Sequence, residues 1–281
     1  MTSSSQGSSL SPEEIERYAR HLVLPEIGGA GQQKLKAARV LVIGAGGLGA
    51  PVLQYLAAAG VGTLRIVDDD VVSLSNLQRQ VVHGSDRLNE AKVASATAAL
   101  AAINPHVRVE ARQERFTRDT AAALLDGCTV AVDGSDNFAT RLAVADACER
   151  AQVPLVTGAV HRFDGSLTTL MPWTRIANLR ENEGAGADVP APRYRDLYPT
   201  VPKDGHLPSC AEAGVLGATT GIVGTLQAAE VLKVITGAGE PLIGRLLLID
   251  TLSMRFQTIS YSRRPDRRHP PSAPEEPEGQ A

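Results

Sequence analysis

The sequence is poor in cysteine, with Cys128, Cys148 and Cys210 as its full set among 281 residues. An odd and scattered set argues against a disulfide framework. The chain also lacks the run of about 20 apolar residues that a membrane-spanning helix needs. Residues 1–9 have neither the basic start nor the apolar core of a signal peptide. We therefore expect a cytoplasmic protein that has no membrane partner.

Neither sign of charge is in large excess. The chain has 28 Lys and Arg against 31 Asp and Glu, which gives no global reason to bind nucleic acid, so any electropositive site must be local. At 43% hydrophobic content the chain can bury a substantial core. We predict a flexible leader at 1–10, a folded domain at 11–262 and a disordered tail at 263–281, where the sequence has no core-forming residues.

The first helix has clear start signals. Ser11 is a good N-cap, Pro12 suits the first helical position, and Glu14 completes a capping box. Apolar residues then recur at helical spacing and predict one buried face, made of Ile15, Tyr18, Ala19 and Leu22. Arg17 and Arg20 fall on the opposite side of this helix.

From residue 39 onward, strands and helices alternate. We predict strands at 39–43, 63–67, 107–111, 129–132 and 154–158, with helices near 51–59, 89–102, 118–125 and 138–151. The second half differs, with a strand at 165–171, a long surface crossover at about 173–206, a helix at 218–235 and two strands at 245–250 and 255–261. The sequence thus predicts an α/β, Rossmann-like fold. Its mostly parallel sheet has helices on both faces and is continued by antiparallel strands in the C-terminal half.

A glycine-rich turn lies between the first strand of the sheet and the next helix. Residues 44–49 read GAGGLG, and Gly44, Gly46 and Gly47 let the backbone approach a phosphate or ribose closely. Asp68, about twenty residues further on, ends the next strand, where an acidic side chain would bond ribose hydroxyls. Taken alone, the pattern favours a dinucleotide-binding oxidoreductase over a purely structural turn.

The segment after Asp68 is dense in acids and amides. Residues 68–80 read DDDVVSLSNLQRQ, and Asn76 and Arg79 within it are suited to hold phosphate oxygens. Lys92 on the next helix adds a point charge. An ordinary solvated loop explains the composition equally well, whereas an NAD site needs no such phosphate clamp.

Two carboxylates follow the fourth predicted strand of the parallel sheet. Asp133 and Asp136 lie at its carboxyl edge, where open α/β folds bind their ligands. A carboxylate that faces a nucleotide there is a natural Mg²⁺ ligand. The other role open to these residues is that of N-cap for the helix that starts near Asn137, and the two aspartates can divide the roles between them.

Together these segments resemble the HesA/MoeB/ThiF family, which includes molybdopterin-synthase adenylyltransferase and the adenylation domain of ubiquitin-activating enzymes. The resemblance runs in the family's order over 17–28, 44–62, 68–80, 91–93, 103–106, 133–137 and 209–217. It implies that residues 11–262 form an adenylation domain that uses ATP and Mg²⁺. The implied nucleotide-binding residues are Gly44, Gly46, Gly47, Asp68, Ser75, Asn76, Arg79, Lys92, Asp136 and Asn137, with Asp136 as the Mg²⁺ ligand.

The resemblance also implies the partners. The substrate would be the C-terminal glycine carboxylate of a ubiquitin-like sulfur-carrier protein, activated as an acyl-adenylate. The small subunit of molybdopterin synthase is favoured over thiamine-pathway and other carriers. In the family, the arginine that matches Arg20 reaches the nucleotide of a neighbouring subunit, which implies a homodimer. Since the chain has no room for a rhodanese domain after residue 261, we expect a separate sulfur-donor protein.

Two cysteine features of the family need separate treatment. Cys210 matches a cysteine that some relatives link covalently to the carrier and others leave unused, and a lone cysteine is more often a small buried hydrophobe. Many relatives bind structural zinc through two C-x-x-C pairs. Here Arg193 and Asp196 stand where the first pair would fall, and the tail after Tyr261 has no cysteine. We therefore expect no zinc and a loosely held tail.

Two rival functions remain at this point. An NAD-dependent oxidoreductase accounts for the glycine turn and Asp68, but it leaves the 68–80 segment and the Asp136 cluster unexplained. A catalytically silent scaffold that binds a ubiquitin-like partner is the second rival. The presence of Asp136, Arg79 and Lys92 argues against the scaffold.

Overall fold

Strands and helices alternate through the computed structural model, which describes residues 9–177, 188–199 and 214–264. The parallel strands are β1 (Arg39–Ile43), β2 (Thr63–Val67), β3 (Arg108–Arg112), β4 (Val130–Asp133) and β5 (Leu155–His161). The antiparallel strands are β6 (Asp164–Leu170), β7 (Arg175–Ile176), β8 (Val189–Pro190), β9 (Arg245–Asp250) and β10 (Arg255–Ser260).

Eight of these strands form one sheet, in the order β10-β9-β6-β5-β4-β1-β2-β3. Strands β5, β4, β1, β2 and β3 pair in parallel, with Val40 of β1 opposite Leu64 on one side and Val130 on the other. Antiparallel pairing begins at β6 and continues to β10. The strand order reverses at β1, which is where folds of this kind open a crevice at the carboxyl edge of the sheet. The predicted fold class is confirmed.

Helices cover both faces of the sheet. Their bounds are α1 (Pro12–Arg17), α2 (Ala19–Leu22), α3 (Gly28–Ala37), α4 (Gly49–Ala58), α5 (Lys92–Ile103), α6 (Ala121–Leu125), α7 (Phe138–Ala151), α8 (Tyr194–Leu197) and α9 (Gly217–Thr236). Helices α3, α4, α5 and α9 share one apolar core, and α6, α7 and α8 share the other. Within the described parts of the chain, no helix is both long and apolar enough to cross a membrane.

Strand β1 lies at the centre and contributes to both cores. Successive side chains of a strand point to opposite faces, so Val40 and Val42 join the core under α4, whereas Leu41 and Ile43 join the core under α7. All four are at most 4% exposed. Burial on both faces explains why this strand reads as a continuous apolar run.

The N-terminal helices differ in part from the prediction. The capping box of Ser11 and Glu14 is present, but α1 ends at Arg17, and Ile15 is 50% exposed instead of lying on a buried face. Tyr18 is buried because its ring packs over Gly60 and its hydroxyl accepts a hydrogen bond from the Asn104 side chain. Ile15 and Tyr18 therefore do not share one buried helix face: the Tyr18 side chain is buried in the core, and that of Ile15 is exposed.

The predicted surface crossover at 173–206 is wrong for its described part. Strands β7 and β8 pair with each other, and α8 follows them. Ala191 and Tyr194 are buried, Tyr194 in the core on the α7 side of the sheet, and Arg195 forms two hydrogen bonds with Asp146 of α7. This segment belongs to the packed domain; residues 178–187 and 200–213 lie outside the described residues.

The positions aligned with the family's first cysteine pair form a polar link instead. The Arg193 guanidinium lies 3.4 Å from an Asp196 carboxylate oxygen. The other Asp196 oxygen accepts a hydrogen bond from the Arg264 backbone. These bonds tie α8 to the segment that follows β10. The rest of the predicted tail, 265–281, and most of the leader, 1–8, lie outside the described residues.

Candidate functional site

An open cleft of about 560 Å³ lies at the carboxyl edge of the parallel strands. Its walls come from the segments that follow β1, β2, β3 and β4, together with the start of α9. Most of the predicted site residues line it: Gly44, Gly46, Gly47, Asp68, Arg79, Lys92, Asp136 and Asn137. Residues from four separate stretches of sequence thus meet at one edge because parallel strands all end there.

The glycine turn forms the floor of the cleft. Gly44 has a φ of +90°, a conformation that favours glycine, and its N–H donates to the Val67 carbonyl over 2.8 Å. A Cβ at Gly49 would lie 1.8 Å from the Gly44 carbonyl oxygen. Glycine at both positions lets β1 turn directly into α4, whose first N–H groups then face the cleft.

Asp68 holds the glycine turn from the side of β2. One carboxylate oxygen accepts from the Ala45 N–H over 2.8 Å, and the other accepts from the Asp70 N–H over 2.9 Å. Burial raises the pKa of this carboxyl, and the Lys92 charge opposes that rise. Each carboxylate oxygen still has a lone pair for a ligand hydroxyl, so Asp68 can support the loop and bind a ribose at once.

Two cations approach the cleft from the segment after β2. The ammonium of Lys92, at the start of α5, lies 2.8 Å from an Asp70 carboxylate oxygen, and its side chain is only 5% exposed. The Arg79 guanidinium donates to the Asn76 side chain over 2.8 Å and to the Ser75 carbonyl over 3.3 Å. Ser75 and Asn76 do not line the cleft. They hold the arginine that does line it, and their own contact with the nucleotide stays a prediction.

The two aspartates after β4 have different surroundings. Asp133 is fully buried, and its carboxylate accepts from the Ser135 N–H and hydroxyl and from the Thr157 hydroxyl. The N-cap of α7 is Asn137, which accepts from the Thr140 N–H over 2.8 Å. The expectation that one of the aspartates caps this helix is therefore wrong, because Asp133 is fully engaged inside the sheet.

Asp136 is the carboxylate of this pair that lines the cleft. It is exposed and has no hydrogen bond or ion pair with any residue that the structure describes. Mg²⁺ in phosphate-transfer sites is held by one or two carboxylates together with substrate phosphates and water. An unpaired carboxylate in the same cleft as Arg79 and Lys92 fits that donor set, so the site can hold Mg²⁺ through Asp136.

Two further arginines line the cleft that sequence reasoning missed. Arg141, on the first turns of α7, donates to the Ser135 carbonyl through Nε and a terminal nitrogen, over 3.2 and 2.9 Å. Arg115 lies 2.5 Å from an Asp69 carboxylate oxygen. Arg141 follows the carboxyl end of β4, and Arg115 follows that of β3. Their position after parallel strands is the sequence signal that could have indicated them. Together with Arg79 and Lys92 they give the cleft four cations that can pair with polyphosphate oxygens, alongside five lining carboxylates.

Arg20 lies away from this cleft. It is exposed on α2, which packs against α3 through a 3.0 Å contact between His21 and Gln32. Gln32 in turn donates to the carbonyl of Ala59, at the far end of α4 from the glycine turn. Arg20 therefore lies at the amino edge of the sheet and does not reach its own chain's cleft. Cys210 lies outside the described residues; Cys128 and Cys148 are both free thiols.

Comparison with curated proteins finds relatives over most of the chain. A probable adenylyltransferase/sulfurtransferase MoeZ of Mycobacterium tuberculosis is 48% identical over 92% of this chain and 63% of its own length. A SAMP-activating enzyme E1 of Haloferax volcanii is 45% identical, over 92% of this chain and 89% of the relative. A sulfur carrier protein adenylyltransferase of Thermus thermophilus is 46% identical, over 90% and 89%. The chain thus spans less than two thirds of the mycobacterial relative.

Solved structures share the fold at low sequence identity. The crystal structure of PaaA matches with a TM-score of 0.72 and 23% identity, over 93% of this chain and 78% of that one. The Escherichia coli MccB structure with ATP has a TM-score of 0.68 and 20% identity, over 89% and 72%. The sequence model of the ThiF family matches residues 18–269. The chain belongs to the ThiF family.

Proposed function

We propose that this chain is an adenylyltransferase that uses ATP to activate the C-terminal glycine carboxylate of a ubiquitin-like sulfur-carrier protein. One observation carries the proposal: the glycine turn, the cations Lys92 and Arg79 and the unpaired carboxylate of Asp136 all line a single cleft. The relatives named as a sulfur carrier protein adenylyltransferase and a SAMP-activating enzyme support it.

The reaction needs no nucleophile from the enzyme. An oxygen of the carrier's carboxylate attacks the α-phosphorus of ATP, and the bond from that phosphorus to the oxygen bridging to the β-phosphate breaks. Pyrophosphate leaves with the bonding electron pair, and an acyl-adenylate remains. Because no covalent enzyme intermediate forms, catalysis comes from positioning and from neutralising charge on the phosphates.

The described residues divide these tasks. The backbone of Gly46 and Gly47 lies under the phosphates, Asp68 accepts from the ribose hydroxyls, and Arg79 and Lys92 neutralise phosphate oxygens. Asp136 would hold a Mg²⁺ ion, which would supply further positive charge at the phosphates. Arg115 and Arg141, which the sequence did not indicate, are placed to add to this field.

Among sulfur carriers, we propose the small subunit of molybdopterin synthase as the substrate. A separate protein would then deliver sulfur to the adenylate. An NAD-dependent oxidoreductase would use the glycine turn and Asp68 but would have no task for Asp136, Lys92 and Arg79. Covalent attachment of the carrier to Cys210 is no part of the adenylation step, which proceeds without it.

The test is ATP–pyrophosphate exchange with purified protein and a panel of carriers that end in Gly-Gly. We expect exchange with one carrier, no exchange without a carrier, and none with the same carrier lacking its last glycine, since the attacking carboxylate is then misplaced. The active carrier identifies the pathway. No exchange with any carrier, alongside measurable NAD binding, would refute the adenylation proposal.

A second test concerns the homodimer. Since Arg20 lies at the far edge of the sheet and has no side-chain partner among the described residues, we propose that it completes the cleft of a neighbouring subunit. Arg20→Ala and Asp136→Asn proteins should each be inactive in exchange. Their mixture should regain about a quarter of wild-type activity, because half of the randomly reassociated dimers contain one intact site of two.

The control for subunit mixing is a pair of variants in one site. Arg79→Ala and Asp136→Asn lie in the same cleft, so their mixed dimers have no intact site and their mixture should stay inactive. Recovery with this pair would show that the chains do not share sites in the proposed way. Full activity of Arg20→Ala by itself would refute the role of Arg20.

A further inference from the structure

A buried histidine lies behind the glycine turn and has no part in the chemistry above. His83 is 7% exposed. Its Nε2 lies 2.9 Å from the carbonyl oxygen of Ala45, and its Nδ1 lies 2.9 Å from the hydroxyl of Ser95. Both partners are themselves buried, so the imidazole forms a bridge between the glycine turn and α5.

The partners fix the proton positions on this ring. A carbonyl oxygen can only accept, so Nε2 carries the hydrogen and donates it to Ala45. Burial lowers the pKa of His83, which keeps the ring neutral. Nδ1 then accepts from the Ser95 hydroxyl. The bridge therefore runs in one direction, from Ser95 through His83 to the Ala45 carbonyl.

This bridge orients the peptide group between Ala45 and Gly46. The Ala45 N–H is already held by the Asp68 carboxylate over 2.8 Å, and its carbonyl is held by His83 on the buried side. In a planar trans peptide the C=O and the next N–H point in opposite directions. The Gly46 N–H therefore points away from His83, and it has no acceptor among the residues that the structure describes.

The other end of the bridge is on the helix that carries Lys92. Ser95 follows Lys92 by three residues on α5, so the two lie on the same face of that helix. Lys92 and Gly46 both line the cleft. The imidazole thus spans the gap between the element that supplies the free N–H and the element that supplies the ammonium group.

We propose that His83 is a positioning residue that sets the separation of the glycine turn and α5, so that the Gly46 N–H and the Lys92 ammonium bind the same nucleotide phosphates. This inference rests on the proposed function, since it assumes that the cleft binds ATP. A core histidine without this role would affect folding stability and leave the affinity for nucleotide unchanged in the folded protein.

Two substitutions separate these roles. In His83→Gln the amide nitrogen can occupy the place of Nε2 and still donate to Ala45, whereas in His83→Asn the shorter side chain places its amide near the position of Nδ1 and loses that bond. We expect Asn to weaken ATP binding about tenfold, the loss of one hydrogen bond from the Gly46 N–H to a charged phosphate oxygen. Glutamine should stay within about threefold of wild type.

The measurement is calorimetric titration of the full chain with Mg·ATP, without a carrier, below the melting temperature of every variant. Ser95→Ala removes the other hydrogen bond of the bridge, the one between the Ser95 hydroxyl and His83 Nδ1. It should weaken ATP binding by less than His83→Asn. The matched control is Asn104→Ala, which removes buried hydrogen bonds to Tyr18 and Ala57 at the opposite edge of the sheet. It should lower the melting temperature and leave ATP affinity unchanged.

The outcomes are distinct. Weak binding by His83→Asn with rescue by His83→Gln supports the positioning role. Wild-type affinity in His83→Asn, or equal losses in both variants and in Asn104→Ala, overturns it while the adenylation proposal stands. Failure of the wild-type protein to bind ATP would overturn the positioning role and the proposed function together.

Discussion

Replacing Asp136 with asparagine should reduce carrier-dependent ATP–pyrophosphate exchange by a factor of about 10² to 10³, the loss typical of removing one electrostatic contact to a transition state. The Asp136 carboxylate is exposed, lines the cleft and has no partner among the described residues. Asparagine preserves its shape and removes the charge that binds Mg²⁺. At saturating carrier, the maximal rate of exchange should fall. The Mg²⁺ concentration that gives half of that rate should rise.

Asp126→Asn is the matched control for this substitution. Asp126 is also an exposed aspartate, but it precedes β4 at the amino edge of the sheet, whereas Asp136 follows the same strand at the carboxyl edge. Neither change should alter the free energy of unfolding by more than about 0.5 kcal/mol, because both side chains are solvated. Exchange by Asp136→Asn within a few fold of wild type would remove Asp136 from the mechanism.

The strands and the glycine turn could be predicted because their signals are local. Strand β1 is a continuous apolar run, and the turn after it needs glycine at Gly44 and Gly49 for steric reasons within the turn itself. Helix α3 gave no such signal. It contains Gly28, Gly29 and Gly31, which disfavour a helix. Tertiary contacts stabilise it instead, such as those of buried Leu35 in the core that α3 shares with α4, α5 and α9.

The roles of individual site residues depended on contacts distant in sequence. Asp133 and Asp136 are three residues apart and look alike in the sequence. Their surroundings in the structure differ. The Thr157 hydroxyl of β5 donates to the Asp133 carboxylate, and the Gln227 side chain of α9 donates to the Asp133 backbone carbonyl. The hydrophobic periodicity of the sequence does not reveal hydrogen bonds between residues so far apart in the chain. The same limit applies to Asn76, whose hydrogen bond with Arg79 the sequence did not indicate.

Replacing Gly224 with alanine should destabilise the protein by about 3 kcal/mol, the cost of overpacking a tight contact. A Cβ at Gly224, on α9, would lie 2.4 Å from Cγ of Pro51 and 2.5 Å from the carbonyl oxygen of Leu48. Leu48 and Pro51 belong to the junction between the glycine turn and α4. The backbone must shift to make room, and urea unfolding should show a lower midpoint with an unchanged slope.

Gly221→Ala, one turn earlier on the same helix, should act in the opposite direction. A Cβ at Gly221 has no atom within 4 Å, so alanine should stabilise α9 by about 0.5 to 1 kcal/mol through its higher helix propensity. Equal effects of the two substitutions would mean that α9 does not pack against α4 as described. If the packing is correct, Gly224→Ala should also weaken ATP binding below its melting temperature, because the displaced Leu48 carbonyl directly follows Gly46 and Gly47.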